Sequence, residues 1–71
     1  MKKDYLNLVI TAKNENNITC IMYAVVSTPN KILDGKRFFY HNDNIKECAK
    51  VTIKELQKQF VNNTFIITYL L

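Results

Sequence analysis

Residues 44–61, NIKECAKVTIKELQKQFV, decide the fold of this chain because they carry a clear helical period. Stepping about 100° per residue places six apolar side chains on one side: Ile45, Cys48, Ala49, Ile53, Leu56 and Phe60. Asp43 or Asn44 can cap the start, with Glu47 completing a capping box. Asn62 and Asn63 are expected to end the helix, since asparagine tolerates a left-handed conformation. The segment therefore predicts an amphipathic helix with one buried face.

Four predicted strands surround this helix. Residues 5–12 alternate, with one strongly apolar face, and residues 18–27 are apolar on both sides. A polar turn over residues 13–17 joins them into a hairpin. The third strand is predicted at residues 37–41 and the fourth at 64–71, which is rich in β-branched and aromatic residues.

Two short segments in the middle of the chain are predicted to interrupt the strands. Pro29 and Asn30 are expected to end the second strand, and Asp34 with Gly35 predicts a turn. Ile32 and Leu33 are expected to pair briefly before that turn.

The predicted fold is α+β, a single β-β-β-α-β domain over residues 1–71. A right-handed crossover through the helix sets the fourth strand parallel to the first, which gives a four-stranded mixed sheet of order 3-2-1-4. One helix covers only one face of such a sheet. The face expected beneath it carries Leu6, Leu8, Ile10, Cys20, Met22 and Ala24.

The opposite sheet face is then expected to remain open and apolar. It carries Tyr5, Val9, Ile21, Tyr23 and Val25, with either Phe65, Ile67 and Tyr69 or Ile66 and Leu70. Contiguous apolar surface of this kind marks an interface, so we expect a homodimer or a protein partner there. The alternative is that curvature and long side chains cover this face.

Composition narrows the class of protein. The chain has 71 residues, 48% of them hydrophobic, and no apolar run near the roughly 20 residues that span a bilayer. No apolar signal core follows Met1, so we expect a cytoplasmic protein without a membrane partner. Abundant Asn, Lys and Ile in a small chain are typical of an AT-rich phage or mobile element.

Metal and cofactor chemistry find no support in the sequence. His41 is the single histidine, and Cys20 and Cys48 form no Cys-x-x-Cys pair, so no metal or cofactor is expected. The two cysteines are read as buried reduced thiols, with a strand–helix disulfide as the alternative. No glycine-rich phosphate loop or nucleophile–base pair is visible, and the chain is predicted not to be an enzyme.

Basic residues give the second candidate surface. The net charge is +4, and a lysine recurs every four residues along the outer side of the predicted helix: Lys46, Lys50, Lys54 and Lys58. This stripe could face a phosphate backbone or an acidic protein surface, or serve solubility alone. Lys36 and Arg37, beside three aromatic residues, form a second basic spot, with a structural hairpin as its alternative.

Residues 39–49, FYHNDNIKECA, resemble the end of a strand and the start of a helix in the N-terminal domain of HicB-type antitoxins. Asp43 matches the family's aspartate, Glu47 its second acid, Cys48 its alanine, and Asn44 stands in place of the capping threonine. The resemblance implies a partial ribonuclease H-like fold and an antitoxin role. True ribonuclease H enzymes place a metal-binding glutamate near Glu47, but they need further carboxylates that this chain lacks.

The sequence thus predicts a small non-enzymatic protein that binds and inhibits a protein or nucleoprotein partner. A basic nucleic-acid-binding protein that uses the lysines of the helix is the alternative. A structural homodimer with no separate activity also stays open.

Overall fold

The computed structural model describes residues 4–27 and 31–70. The elements follow the order β1 (Asp4–Glu15), β2 (Ile18–Ser27), β3 (Lys31–Tyr40), α1 (Ile45–Gln59) and β4 (Asn63–Leu70). The sheet order is β3-β2-β1-β4, with β1 and β4 parallel and the other pairs antiparallel. This confirms the predicted α+β architecture. The predicted strand break at Pro29 and Asn30, and the last residue, Leu71, lie outside the described residues.

A two-residue turn at Asn16 and Asn17 sets the register of the first hairpin. Their φ angles are 53° and 62°, the left-handed pair that a tight hairpin turn of the primed type requires. Glu15 therefore pairs with Ile18, and β1 runs three residues beyond its predicted end at residue 12. The predicted five-residue turn is wrong in length, because asparagine accepts positive φ at little steric cost.

The register of this hairpin corrects the predicted faces of β2. Leu8 lies opposite Val25 and Ile10 opposite Tyr23, so the odd-numbered residues of β2 share the helix side. Ile21, Tyr23 and Val25, predicted on the open face, are buried there instead. The residues predicted beneath the helix occupy the open side in their place: Cys20, Met22 and Ala24. A strand that is apolar on both sides carries no signal for its own orientation, which is why this prediction was wrong.

β3 is one continuous strand, and the turn predicted at Asp34 and Gly35 is absent from it. Gly35 pairs with Ala24, and Asp34 accepts a hydrogen bond from the hydroxyl of Tyr23 at 2.9 Å. The register shifts between Val25 and Val26, so β3 carries one extra residue there, a β-bulge. The Asp-Gly signal therefore falls beside a bulge rather than at a turn.

The helix begins as predicted and ends earlier than predicted. The side chain of Asn44 accepts a hydrogen bond from the backbone N–H of Glu47 at 3.1 Å, which confirms the cap. Phe60 closes the other end, where its N–H donates to the carbonyl of Leu56. Within the described residues Asn62 has no left-handed φ, and Asn63 already belongs to β4.

The core lies between α1 and the helix side of the sheet. Its buried apolar side chains are Leu6, Leu8, Ile10, Ile21, Tyr23, Val25, Cys48, Ala49 and Leu56. Ile53 and Phe60 pack against this cluster, and Thr19 and Thr52 are fully buried polar members. The helix phase read from the sequence is confirmed; Thr52 is the buried position that a purely apolar pattern omits.

Candidate functional site

The sheet surface opposite α1, which we call the open face, carries exposed apolar side chains from all four strands. Strand alternation places on it one set of side chains from all four strands: Tyr5, Val9, Ile18, Cys20, Met22, Ala24, Ile32, Phe39, Ile66 and Leu70. No described element packs against this side, because the one helix of residues 4–27 and 31–70 lies on the other. Tyr5, Met22, Ile32, Phe39, Ile66 and Leu70 are all exposed.

The predicted open-face set is therefore confirmed in one strand and corrected in another. Tyr5 and Val9 lie on the open face as expected, with Tyr5 63% exposed. Ile66 and Leu70 supply the β4 part, which settles the alternative that the sequence left open. Phe39 and Met22, which sequence reasoning did not assign to this face, are exposed members of it, at 66% and 46%. The two-residue turn at Asn16 and Asn17 was the available signal, since it fixes which residues of β1 and β2 share a face.

Charged groups at the open face are few and mainly positive. Arg37 and Lys13 lie beside the apolar side chains of the hairpin end, and Glu15 stands at the same rim. The guanidinium of Arg37 contacts the sulfur of Met22 at 3.9 Å, so its stem lies along the apolar surface. Among residues 4–27 and 31–70 the one ion pair joins Lys58 and Glu55 on the helix, so Arg37 has no carboxylate partner in that part of the chain.

Lys36 and Arg37, predicted to form one basic spot, lie on opposite faces of the sheet. Arg37 pairs with Met22 and shares the open face, whereas Lys36 pairs with Tyr23 and shares the helix side. Neighbouring residues of a strand point to opposite faces, so these two cations cannot act on one ligand surface.

The lysine stripe, defined as Lys46, Lys50, Lys54 and Lys58, lies on the outer side of α1 as predicted. All four side chains are exposed, and Lys58 forms an ion pair with Glu55 at 3.3 Å. Lys50 and Lys54 flank a shallow apolar depression that includes Val51 and Ile53, and Glu47 lies at its border. The stripe is thus a surface of mixed charge with a small apolar centre.

Residues 42–44, before and at the cap of α1, form a polar clamp with the first hairpin. The buried hydroxyl of Thr19 donates to the carbonyl of Asn42 at 2.6 Å. The amide of Asn14 donates to Thr19 at 3.0 Å and to the carbonyl of Asp43 at 3.2 Å. Asn42 in turn accepts from the N–H of Asn44, the helix cap. These contacts hold the β3–α1 connection against the turn end of β1 and β2.

Tyr23 and Asp34 form a second polar contact on the helix side. Burial raises the pKa of Tyr23 to about 12, with further contributions from its hydrogen bond to Asp34 and the negative charge of that carboxylate. The ring of Tyr23 stacks on Phe38 with centroids 5.8 Å apart. This pair joins β2 to β3 beside the bulge and gives the sheet a titratable group at high pH.

The two cysteines lie on different sides of the sheet. Cys48 is buried in the core, Cys20 is half-buried on the open face, and both are free thiols. The expected burial therefore holds for Cys48 and only in part for Cys20. Across the described ranges, no three His, Cys, Asp or Glu residues are grouped as metal ligands would be.

The chain matches no protein-family model, no curated protein and no solved structure. In the part of the chain that the structure describes, no helix has both the length and the apolar character to cross a membrane. Fold and site together define a small α+β domain in which α1 covers one face of the sheet and the other face is open.

Proposed function

We propose that this chain acts by binding a protein partner through the open face, as a small non-enzymatic inhibitor of the antitoxin type. The observation that carries the proposal is that all four strands contribute exposed apolar side chains to one sheet face, among them Phe39, Met22, Tyr5 and Ile66. The polar side chains that lie between them on this face are Asn7, Thr11, Thr64 and Thr68. Apolar side chains exposed together on one face are typical of an interface. The inhibitory, antitoxin-like part of the proposal is supported by the resemblance of residues 39–49.

The charges at the open face define the chemistry of the partner. Arg37 and Lys13 stand at the edge of the apolar area without a carboxylate partner among the described residues. A matching surface is apolar at its centre and carries an aspartate or glutamate where it meets Arg37. An arginine–carboxylate contact can be bidentate and supplies orientation as well as attraction. The proposed setting is the cytoplasm, where free thiols such as Cys20 stay reduced.

A second candidate function is nucleic-acid binding through the lysine stripe. The observation that favours it is that Lys46, Lys50 and Lys54 are exposed and have no ion pair within the described residues. Glu47 and Glu55 on the same helix reduce the net field of this surface. We place it second because no exposed aromatic ring lies among these lysines to stack on a base.

Paired substitutions on the tagged full chain test the proposal in nuclease-treated lysate of the source cells. Arg37→Glu and Lys36→Glu make the same charge change on opposite sheet faces. Met22→Lys and Val51→Lys change side chains of similar exposure, 46% and 44%, on the open face and on the helix. We expect Arg37→Glu and Met22→Lys to weaken retention of one protein about tenfold or more. Arg37→Glu sets a carboxylate against the carboxylate proposed on the partner, and Met22→Lys buries an unmatched charge. Lys36→Glu and Val51→Lys should retain it.

Two results would contradict the proposal. One is retention that all four variants share with the wild type. The other is a protein that the wild type retains only from lysate without nuclease treatment, and that the double variant Lys50→Glu, Lys54→Glu does not retain. That result would favour the nucleic-acid function. Circular dichroism of each variant confirms that it is folded before retention is compared.

A further inference from the structure

The outer edge of β4 is an unprotected sheet edge. Within the described residues β4 pairs with β1 alone, so its other edge presents free backbone N–H and C=O groups. Its sequence, NTFIITYL, contains no charged residue and no proline, and residues 66–70 are all exposed. A long, uncharged edge strand is a template for pairing with another chain.

The opposite edge of the sheet, β3, shows how this chain protects an edge. β3 carries four charged residues and a bulge: Lys31, Asp34, Lys36 and Arg37. Charges and bulges are the usual devices that stop a sheet from adding strands. β4 carries neither a charged residue nor a register shift in its pairing with β1. The two edges therefore differ, and β4 is the one without these devices.

We infer that a second copy of this chain binds at β4, antiparallel to it, and extends the two sheets into one continuous sheet of eight strands. A twofold axis perpendicular to the sheet relates the copies and keeps both helices on one side. Pairing centred on Ile66 sets the two copies of Ile66 opposite one another and each Thr64 opposite the other copy's Thr68. Such β-branched cross-strand pairs stabilise antiparallel strands. The chain has a net charge of +4, but none of its charged side chains lies in β4, so the two strands can pair without charge repulsion between them.

This dimer forms through the backbone edge of β4 and needs no partner protein, although Ile66 also belongs to the open face. It would place two open faces side by side on one surface. Its test uses the purified chain without any partner, and its failure would leave the proposed function untouched.

The first experiment compares the same substitution on the two edges by sedimentation equilibrium. Ile66→Lys and Ile32→Lys both place a lysine on an exposed edge position of the open face, at side chains 53% and 68% exposed. We expect the wild type and Ile32→Lys to reach twice the chain mass of 8.3 kDa, about 16.6 kDa, and Ile66→Lys to remain at 8.3 kDa. A monomeric wild type at near-millimolar concentration would overturn the inference. So would a dimer that persists in Ile66→Lys or that is lost in Ile32→Lys or Met22→Lys.

The second experiment needs no variant and so does not depend on whether Ile66→Lys folds. Amide hydrogen exchange of the wild type is followed residue by residue from micromolar to near-millimolar concentration. We expect protection in Asn63–Leu70 to rise with concentration at alternate residues, those whose N–H groups point away from β1, while Lys31–Tyr40 stays unchanged. Concentration-independent exchange in β4, or a rise confined to β3, would overturn the inference.

Discussion

Thr19 is the residue on which the connection between β3 and α1 depends. Its hydroxyl is fully buried, donates to the carbonyl of Asn42 and accepts from the amide of Asn14. All buried side-chain oxygen and nitrogen atoms of the described residues have such partners. The same carbonyl, of the half-buried Asn42, otherwise receives one weak contact from the thiol of Cys48.

Thr19→Val should therefore lower the free energy of unfolding by about 1–3 kcal/mol, because it removes a buried hydroxyl that donates to Asn42 and accepts from Asn14. Urea unfolding followed by circular dichroism measures the change. Thr68→Val is the matched control, since Thr68 is exposed in β4 and its replacement removes no buried hydrogen bond. Equal stability of Thr19→Val and the wild type would contradict the clamp.

Tyr23 should make stability depend on pH in the alkaline range. Its pKa is raised from 10.0 to about 12 in the folded chain, so the native state holds the phenol proton more tightly than the unfolded state. The stabilisation is complete below pH 10 and is lost as the pH rises toward the folded-state value. Urea unfolding of wild type and Tyr23→Phe across this interval measures the effect. The gap between their free energies of unfolding should narrow as pH rises, and two parallel curves would contradict it.

At the scale of elements, α1 supplies one side of the core, and Leu56 is its most central apolar contact. Leu56 is 1% exposed and belongs to the buried cluster with Leu8 and Ile10. A domain of this size has a core worth about 3–5 kcal/mol, so a single large cavity removes most of its stability.

Leu56→Ala should lower the free energy of unfolding by about 2–5 kcal/mol, enough to leave the chain largely unfolded. Val51→Ala, on the exposed side of the same helix, should change it little. Thermal unfolding by circular dichroism compares the two. A Leu56→Ala chain as stable as Val51→Ala would contradict the helix phase.

The elements also show how much of the fold the sequence could predict. The helix, its cap at Asn44 and the strand order follow from local periodicity and chain connectivity. Periodicity does not show which side chains of β2 face the helix, because Ile21 and Met22 are both apolar. Only the register of the strand distinguishes them. That register depends on the turn length at Asn16 and Asn17, which composition leaves open. Asp34 and Gly35 failed as a turn signal for a similar reason, since a bulge and the contact with Tyr23 retain them in β3.

At the scale of the whole molecule, the covered face gives stability and the open face gives the proposed function. The core cluster lies wholly on the helix side, while Tyr5, Met22 and Phe39 face outward on the other. The lysine stripe could be predicted from spacing alone, because it is a property of one helix. The open face combines four strands, so its membership became known only with the sheet register.

Site-specific photo-cross-linking determines whether the open face contacts a protein partner. p-Benzoylphenylalanine replaces Phe39 on the open face or Val51 on the helix, and each tagged chain is irradiated in nuclease-treated lysate of the source cells. We predict one covalent protein adduct from position 39, competed by unlabelled wild-type chain but not by unlabelled Arg37→Glu, and none from position 51. An adduct from position 51 alone, or equal competition by both unlabelled chains, would contradict the account.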